Sequence, residues 1–164
     1  MIILLILSAL IALTYIILMT ALIAGVVKLK KLKKPAVLSE SDDISIVIPF
    51  RNEAHHLPFL LNSLLKQKTS AGKTELIFVN DHSEDSGPDM IKNFILTNPD
   101  ISAHLISLSD QGLNGKKAAQ KAGVEAASFD IIAFSDADCI LPPGWVRSMS
   151  AYLSNGVMMA CAPV

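Results

Sequence analysis

From Ile2 to Val27 the chain is almost wholly apolar and holds no charged residue. At ~1.5 Å of rise per residue, about 20 apolar residues carry a helix across the hydrocarbon core of a bilayer. The run therefore predicts one membrane-spanning helix over residues 1–27. A cleaved secretory signal would show a basic residue ahead of a shorter apolar stretch and small residues at a cleavage site. Nothing basic precedes this run. Lysines follow it instead, at Lys28, Lys30, Lys31, Lys33 and Lys34, and positive charge favours the cytoplasmic side. The expectation is an uncleaved, single-pass anchor in the cell membrane with its amino terminus outside and the remainder cytoplasmic. Residues 28–43 read as a basic juxtamembrane segment and linker, with Pro35 to Asp43 polar and broken by proline.

At Ile44 the pattern changes, and short apolar runs begin to alternate with helical stripes. Ile44 to Pro49, Glu75 to Asn80, Ile101 to Leu108, Ile131 to Ser135 and Gly156 to Ala162 read as strands, several of them apolar on both faces as buried parallel strands are. Leu57, Leu60, Leu61, Leu64 and Leu65 recur at three and four residues, one face of a helix. A second helix is predicted from Asp89 to Thr97 with Met90, Phe94 and Ile95 inward, and a third from Lys116 to Ala127. A fourth is expected to start near Pro142 and Pro143, since proline is tolerated in a first turn. Alternating strands and helices predict an α/β domain over residues 44–164, a Rossmann-like, mostly parallel sheet with helices on both faces.

Charge narrows the partners. Beyond Lys34 the chain holds nine Lys and Arg against fifteen Asp and Glu, so the domain is acidic and does not suit nucleic acid. Cys139 and Cys161 have neither zinc-site spacing nor the density of a disulfide scaffold, and are expected to be small buried apolar residues. His55, His56, His82 and His104 share no metal-ligand spacing and read as surface or packing residues.

In parallel α/β sheets ligands bind beyond the carboxyl ends of the strands. The segments there are Pro49-Phe-Arg-Asn-Glu53, Asn80-Asp-His-Ser-Glu-Asp85, Asp110-Gln-Gly-Leu-Asn-Gly-Lys-Lys117 and Asp136-Ala-Asp138. Residues two apart in an extended segment point the same way, so the carboxylates of Asp136 and Asp138 converge. A hard divalent cation, Mg or Mn, relieves their repulsion and can complete its shell with water and substrate phosphates. An isolated Asp-x-Asp is more often a solvated turn; its place directly after a strand favours a site. Arg51, Asn52 and Glu53 can hydrogen-bond a base or ribose, or Asn52 and Glu53 can cap the leucine-striped helix. Asp81 can accept from a base or ribose, or begin a turn with Ser83 and Asp85. Lys116 can meet a phosphate or stand solvated. A Gly-x-Gly-x-x-Gly after the first strand and a Gly-x-x-x-x-Gly-Lys-Ser/Thr are both missing from the sequence, which removes the main support for dinucleotide oxidoreductases and P-loop enzymes. Pro49 to Glu53 also lacks the glycine-rich, basic turn of a nucleotidyltransferase.

Together, Ile-Val-Ile-Pro-Phe-Arg-Asn-Glu53, Val79-Asn-Asp-His-Ser-Glu-Asp85, Gly115-Lys-Lys-Ala-Ala119 and Phe134-Ser-Asp-Ala-Asp138 resemble the family 2 glycosyltransferases of GT-A fold. The resemblance covers about residues 44 to 164. It implies that Pro49, Arg51 and Glu53 line a nucleoside pocket, that Asp81 contacts the base and that Lys116 lies near the nucleotide. It further implies that Asp136 faces the ribose or sugar and that Asp138 binds the metal. The reaction it implies is inverting transfer of a sugar from a UDP- or GDP-linked donor to an acceptor hydroxyl. The acceptor would be lipid-linked or a polysaccharide, in polysaccharide or glycolipid synthesis at the membrane. Asn80 stands where the family often has aspartate, His82 where glycine is common and Lys121 where asparagine is usual. The family's general base lies in an acceptor half that follows the metal motif, and is expected beyond Val164. The alternative expectation is a truncated, catalytically inactive domain that binds a nucleotide sugar.

Overall fold

The computed structural model describes residues 1–30, 43–67 and 72–153, and the chain divides into two compact units, Met1–Ala36 and Val37–Val164. The expected strand over Gly156 to Ala162, Cys161 and most of the Pro35 to Asp43 linker lie outside the described residues. In the first unit a single helix, α1, runs from Ile2 to Lys30. Its 26-residue stretch Ile2–Val27 is long and apolar enough to cross a membrane, and none of it is buried. At ~1.5 Å per residue it spans ~39 Å, more than the ~30 Å hydrocarbon core.

The second unit begins its regular structure with β1 (Ile44–Phe50), α2 (Leu57–Leu65), β2 (Thr74–Asn80), α3 (Gly87–Thr97) and β3 (Ser102–Ser107). A 3-10 turn at Leu108–Gln111, α4 (Lys116–Ala126), β4 (Ile131–Phe134) and α5 (Trp145–Leu153) follow. The four strands form one parallel sheet in the order β3-β2-β1-β4. β1 is central, with Ile44 opposite Thr74 on one side and Ile131 on the other. Every residue of β1 is buried because each pleat face meets a helix layer. Ile44, Ile46, Ile48 and Phe50 pack with α2, α3 and α5, while Val47 packs with β2 and α4 through Ile77, Val79, Ala119 and Ala122. Burial of each such large side chain contributes ~1.5–3 kcal/mol. The two-sided α/β architecture expected from the alternation is the one observed.

Some local expectations change. β3 and β4 are edge strands among the described residues, and their side chains are largely half-buried or exposed, so the expectation of burial on both faces holds for β1 and β2. α3 begins two residues earlier, at Gly87, and its inward stripe is Gly87, Ile91 and Phe94; Met90 is half-buried. α5 begins at Trp145, after the Pro142-Pro143 turn, which Trp145 N–H closes onto Pro142 O at 3.1 Å. Cys139 is half-buried, against the edge of the larger core cluster. Gly123 lies where α4 crosses β1, and a Cβ there would overlap the Val47 side chain. That close approach draws α4, and with it Lys116, onto the sheet.

Candidate functional site

The chain runs outward from β1 through β2 to β3 and then returns to β4 on the other side of β1. That reversal splays the loops after β1 and β4 apart and opens a crevice at the carboxyl ends of the strands, the place where doubly wound sheets bind ligands. A cleft of about 220 Å³ lies there. Its lining includes Pro49, Arg51, Glu53, Asp81, Lys116, Asp136 and Asp138, all seven residues singled out in the sequence, together with Phe50, Ala119 and Ala137. The last three carry no polar group that would single them out in the sequence. All three stand inside the motifs already quoted, and Ala119 also lies one helical turn beyond Lys116, so helix periodicity is a second signal that finds it.

The loops after β1 and β2 are laced together. Ser83 Oγ accepts from Asn52 N–H at 3.0 Å, Asn52 Oδ1 from Glu84 N–H at 2.8 Å and Asp85 Oδ2 from Ala54 N–H at 2.7 Å. Asn52 thus binds across loops, and the capping role left open for it is not the one it plays; α2 starts at Leu57, after His56 at the cap position, without a side-chain cap. Asp85 Oδ1 accepts from Gly87 N–H at 3.0 Å and so ties down the start of α3. Asn52 and His82 both lie in the left-handed region, at φ 56° and 57°, which asparagine tolerates and glycine favours. Glycine is common in the resembling family where His82 stands, and here the imidazole gains a partner, with Nδ1 3.1 Å from Asp81 Oδ1. His56 Nδ1 meets Glu53 Oε2 at 2.7 Å and His104 Nε2 meets Glu75 Oε1 at 3.4 Å. Three of the four histidines are therefore acid partners, and no cluster of three or more His, Cys, Asp or Glu fit to hold a metal occurs among the described residues.

Asp81 is 6% exposed and receives Gly115 N–H on both carboxylate oxygens, each at 3.0 Å. Burial pushes its carboxyl up, but the Gly115 N–H, the His82 bond and the Arg51 charge outweigh that and hold it below its ordinary value. The aspartate at the end of β2 thereby fixes the first residue before α4, and Gly115 reaches it with φ 89° and ψ 157°, a combination essentially confined to glycine. From that fixed point Lys116 extends across the cleft, and its Nζ lies 2.7 Å from Asp136 Oδ1. Asp138 accepts from the Cys139 thiol at a long 3.8 Å. Burial, followed by the neighbouring Asp138 charge, pushes that thiol up, so it stays protonated. The segment carrying Asp136 and Asp138 is held from behind by α2 and by Gln67 just after it. Ser63 Oγ accepts Leu141 N–H at 3.1 Å, and Gln67 donates to Pro142 O at 3.1 Å while accepting Val146 N–H at 3.3 Å.

The lining brings four carboxylates against two cationic side chains. Such a cleft is net negative on its own and would repel a diphosphate unless a cation accompanied it. Two exposed carboxylates on one short loop are hard oxygen donors that fit a divalent ion, whose remaining ligands would come from water and phosphate.

Comparison with known proteins agrees with this geometry. Residues 45–164 match the profile of Glycosyl transferase family 2. Glycosyltransferase AglE of Haloferax volcanii is 30% identical over 115 residues, which cover 70% of this chain and 36% of that protein. The undecaprenyl-phosphate 4-deoxy-4-formamido-L-arabinose transferase of Pectobacterium atrosepticum is 29% identical over 121 residues, 73% of this chain and 36% of the relative. The chain thus spans about a third of the length of these curated relatives. Among solved structures, the mannosyltransferase PcManGT from Pyrobaculum calidifontis, in complex with GDP-Man and Mn2+, superposes with TM-score 0.65 at 21% identity. It covers 75% of this chain and 36% of its own. S. aureus TarS 1-349 in complex with UDP-GlcNAc gives TM-score 0.58 at 20% identity, covering 69% of this chain and 31% of that one. At such identities the likeness is one of fold. With the family profile matched over well more than half of the sequence, on a GT-A fold, this chain belongs to the family 2 glycosyltransferases.

Proposed function

We propose that the chain forms the donor-binding part of a membrane-anchored glycosyltransferase, which moves a sugar from a UDP- or GDP-linked donor to an acceptor hydroxyl with inversion. The observation that carries this reading is the convergence of the seven sequence-selected residues, from four separate strand ends, on one cleft at the switch point of the sheet. Pro49, Arg51 and Glu53 would border the nucleoside, with Asp81 at the base edge of the pocket. Because both oxygens of Asp81 already receive Gly115 N–H, its role toward a base includes holding the adjoining wall in place. Lys116 would meet the diphosphate as a point charge. Asp136 would face the ribose or sugar, and Asp138 with Asp136 would hold Mg or Mn. When bound, that cation stabilises the charge developing on the departing nucleoside diphosphate.

The names of the relatives support a lipid-linked acceptor, since one of them is named as an undecaprenyl-phosphate sugar transferase, and a helix able to cross a membrane fits work at the bilayer. The lysines after that helix favour a cytoplasmic domain. Titration of the full chain in detergent with UDP and with GDP, with and without Mn2+, tests the reading by calorimetry. One of the two nucleotides is expected to bind in a Mn2+-dependent manner, and Asp138→Ala should weaken that binding at least about tenfold, the loss of one charge-assisted ligand. Its thermal melt should be unchanged, because Asp138 is exposed. Metal-independent or undetectable binding of both nucleotides would refute the assignment.

A further inference from the structure

Transfer from a donor does not by itself call for the contact at the centre of the cleft. Lys116 Nζ and Asp136 Oδ1 are 2.7 Å apart, with side chains 60% and 54% exposed. The ammonium therefore neutralises one of the two carboxylates assigned to the cation. The stem of Lys116 starts from a fixed point, since Gly115 N–H is bonded to both oxygens of Asp81. Its ammonium end is otherwise free to exchange, for an exposed pair of this kind changes an equilibrium by only about two- to fivefold. Neighbouring Lys117 is also exposed but does not line the cleft.

We infer that Lys116 is a built-in counter-ion that occupies Asp136 while the cleft is empty and yields it when a donor diphosphate draws the ammonium away. The inference rests on the donor-site reading above and adds a direction of coupling to it. In the empty cleft Lys116 competes with the cation for Asp136. Once the diphosphate takes the ammonium, Asp136 is released and the carboxylate pair becomes fully available. By linkage, whatever factor the donor adds to cation affinity through this exchange, the cation adds to donor affinity. The device keeps two acids from standing unpaired in the empty site, where their repulsion would be largest. It also favours loading donor and cation together rather than cation alone.

The test is a Mn2+ titration of the nucleotide-free full chain in detergent, read by the electron paramagnetic resonance of free Mn2+, followed by UDP and GDP titrations at saturating Mn2+. Lys116→Gln is expected to bind Mn2+ without nucleotide about two- to fivefold more tightly than wild type. The same variant should bind the preferred nucleotide more weakly. Lys117→Gln, which removes an equal charge one residue away, should shift Mn2+ affinity by less than about 1.5-fold, because solvent and salt screen it. Lys116→Arg, which retains the charge and can pair with Asp136 through a fork of donors, should bind Mn2+ no more tightly than wild type. Mn2+ affinity in Lys116→Gln equal to or weaker than wild type, or an equal gain in Lys117→Gln, would overturn the counter-ion role. So would tighter binding in Lys116→Arg, which decides the matter even if the glutamine variant does not fold. If wild type binds nucleotide with Mn2+ but Lys116→Gln gains nothing, the counter-ion role alone falls. If wild type binds neither Mn2+ nor nucleotide, the donor-site reading falls and the counter-ion role falls with it.

Discussion

Replacing Gly115 by alanine strikes the junction on which the cleft depends. The residue sits at φ 89°, ψ 157°, and a Cβ there would meet no atom within 4 Å. Steric crowding by neighbours therefore adds nothing, and the whole penalty is that of the backbone conformation, ~1–3 kcal/mol for a non-glycine residue. The chain could relieve it by rotating the peptide. Gly115 N–H would then leave the two oxygens of Asp81, a carboxylate only 6% exposed, and loss of a hydrogen bond to a charged group costs ~1.5–3 kcal/mol. Both routes lead to a similar cost, equivalent to about 5- to 150-fold in the folding equilibrium. They differ in the site: strain retained keeps Lys116 in place, whereas strain relieved moves it. Urea unfolding can be followed by the fluorescence of Trp145, the single tryptophan of the chain, which packs against the larger core cluster. Gly115→Ala should lower the midpoint by the equivalent of ~1–3 kcal/mol. Weakened nucleotide binding in the same variant marks the relieved form. Gly112→Asn is the control, because Gly112 lies at φ 66°, ψ 17°, a left-handed conformation that asparagine accepts at little cost. An unchanged midpoint in Gly115→Ala, or an equal loss in Gly112→Asn, would refute the argument that this glycine is held in place by its dihedrals.

Gly123→Ala should destabilise by ~1–3 kcal/mol through overpacking against Val47; Val47→Ala in the same chain should recover part of the loss, and strictly additive losses would show that the two do not share the contact. Acidification should weaken the fold through Asp81 and Glu75. Burial pushes the Glu75 carboxyl up, but the Ser128 N–H, the Ser45 and Ser128 hydroxyls and the His104 charge hold it below its ordinary value, as the contacts above do for Asp81. For both groups the folded value lies below the unfolded one, so their contribution is complete above about pH 5 and is lost as pH falls through the ordinary carboxylate range toward the folded values. Urea midpoints measured from pH 6 downward should fall more steeply in wild type than in Glu75→Gln, and a midpoint that rises on acidification would contradict the sign.

Much of the architecture is already written in local sequence pattern, because burial on a sheet imposes a repeat that can be read residue by residue. The uncharged run to Val27, the two-faced apolar strands around Ile46 and Ile77 and the leucine stripe of α2 each declare their element without reference to the others. So do the chemical types at the strand ends, since a parallel sheet puts each loop after a strand on the same edge. Element ends were less legible. α5 starts beyond Pro143 because the prolines close a turn onto which Trp145 folds, and β3 and β4 are less buried than β1 because they are edges among the described residues, a property of strand order rather than of any one strand. In the sequence His82 is a departure from glycine; only the structure shows that its position does have the dihedral that glycine favours, at φ 57°, and that the Asp81 carboxylate supplies a partner.

What the sequence by itself determined is the inventory: an apolar helix long enough for a bilayer, an alternating α/β unit, and acids and cations placed after its strands. What the tertiary structure decided is which of those groups meet. Asp81 and Gly115 are 34 positions apart in the chain, Lys116 and Asp136 are 20 apart, and no periodicity links them. They meet because the strand order reverses at β1 and because Gly123 lets α4 lie close on Val47, which carries the start of that helix to the carboxyl edge of the sheet. A hydrogen bond or an ion pair acts over about 3 Å, so such partnerships exist only once the packing has fixed the distance.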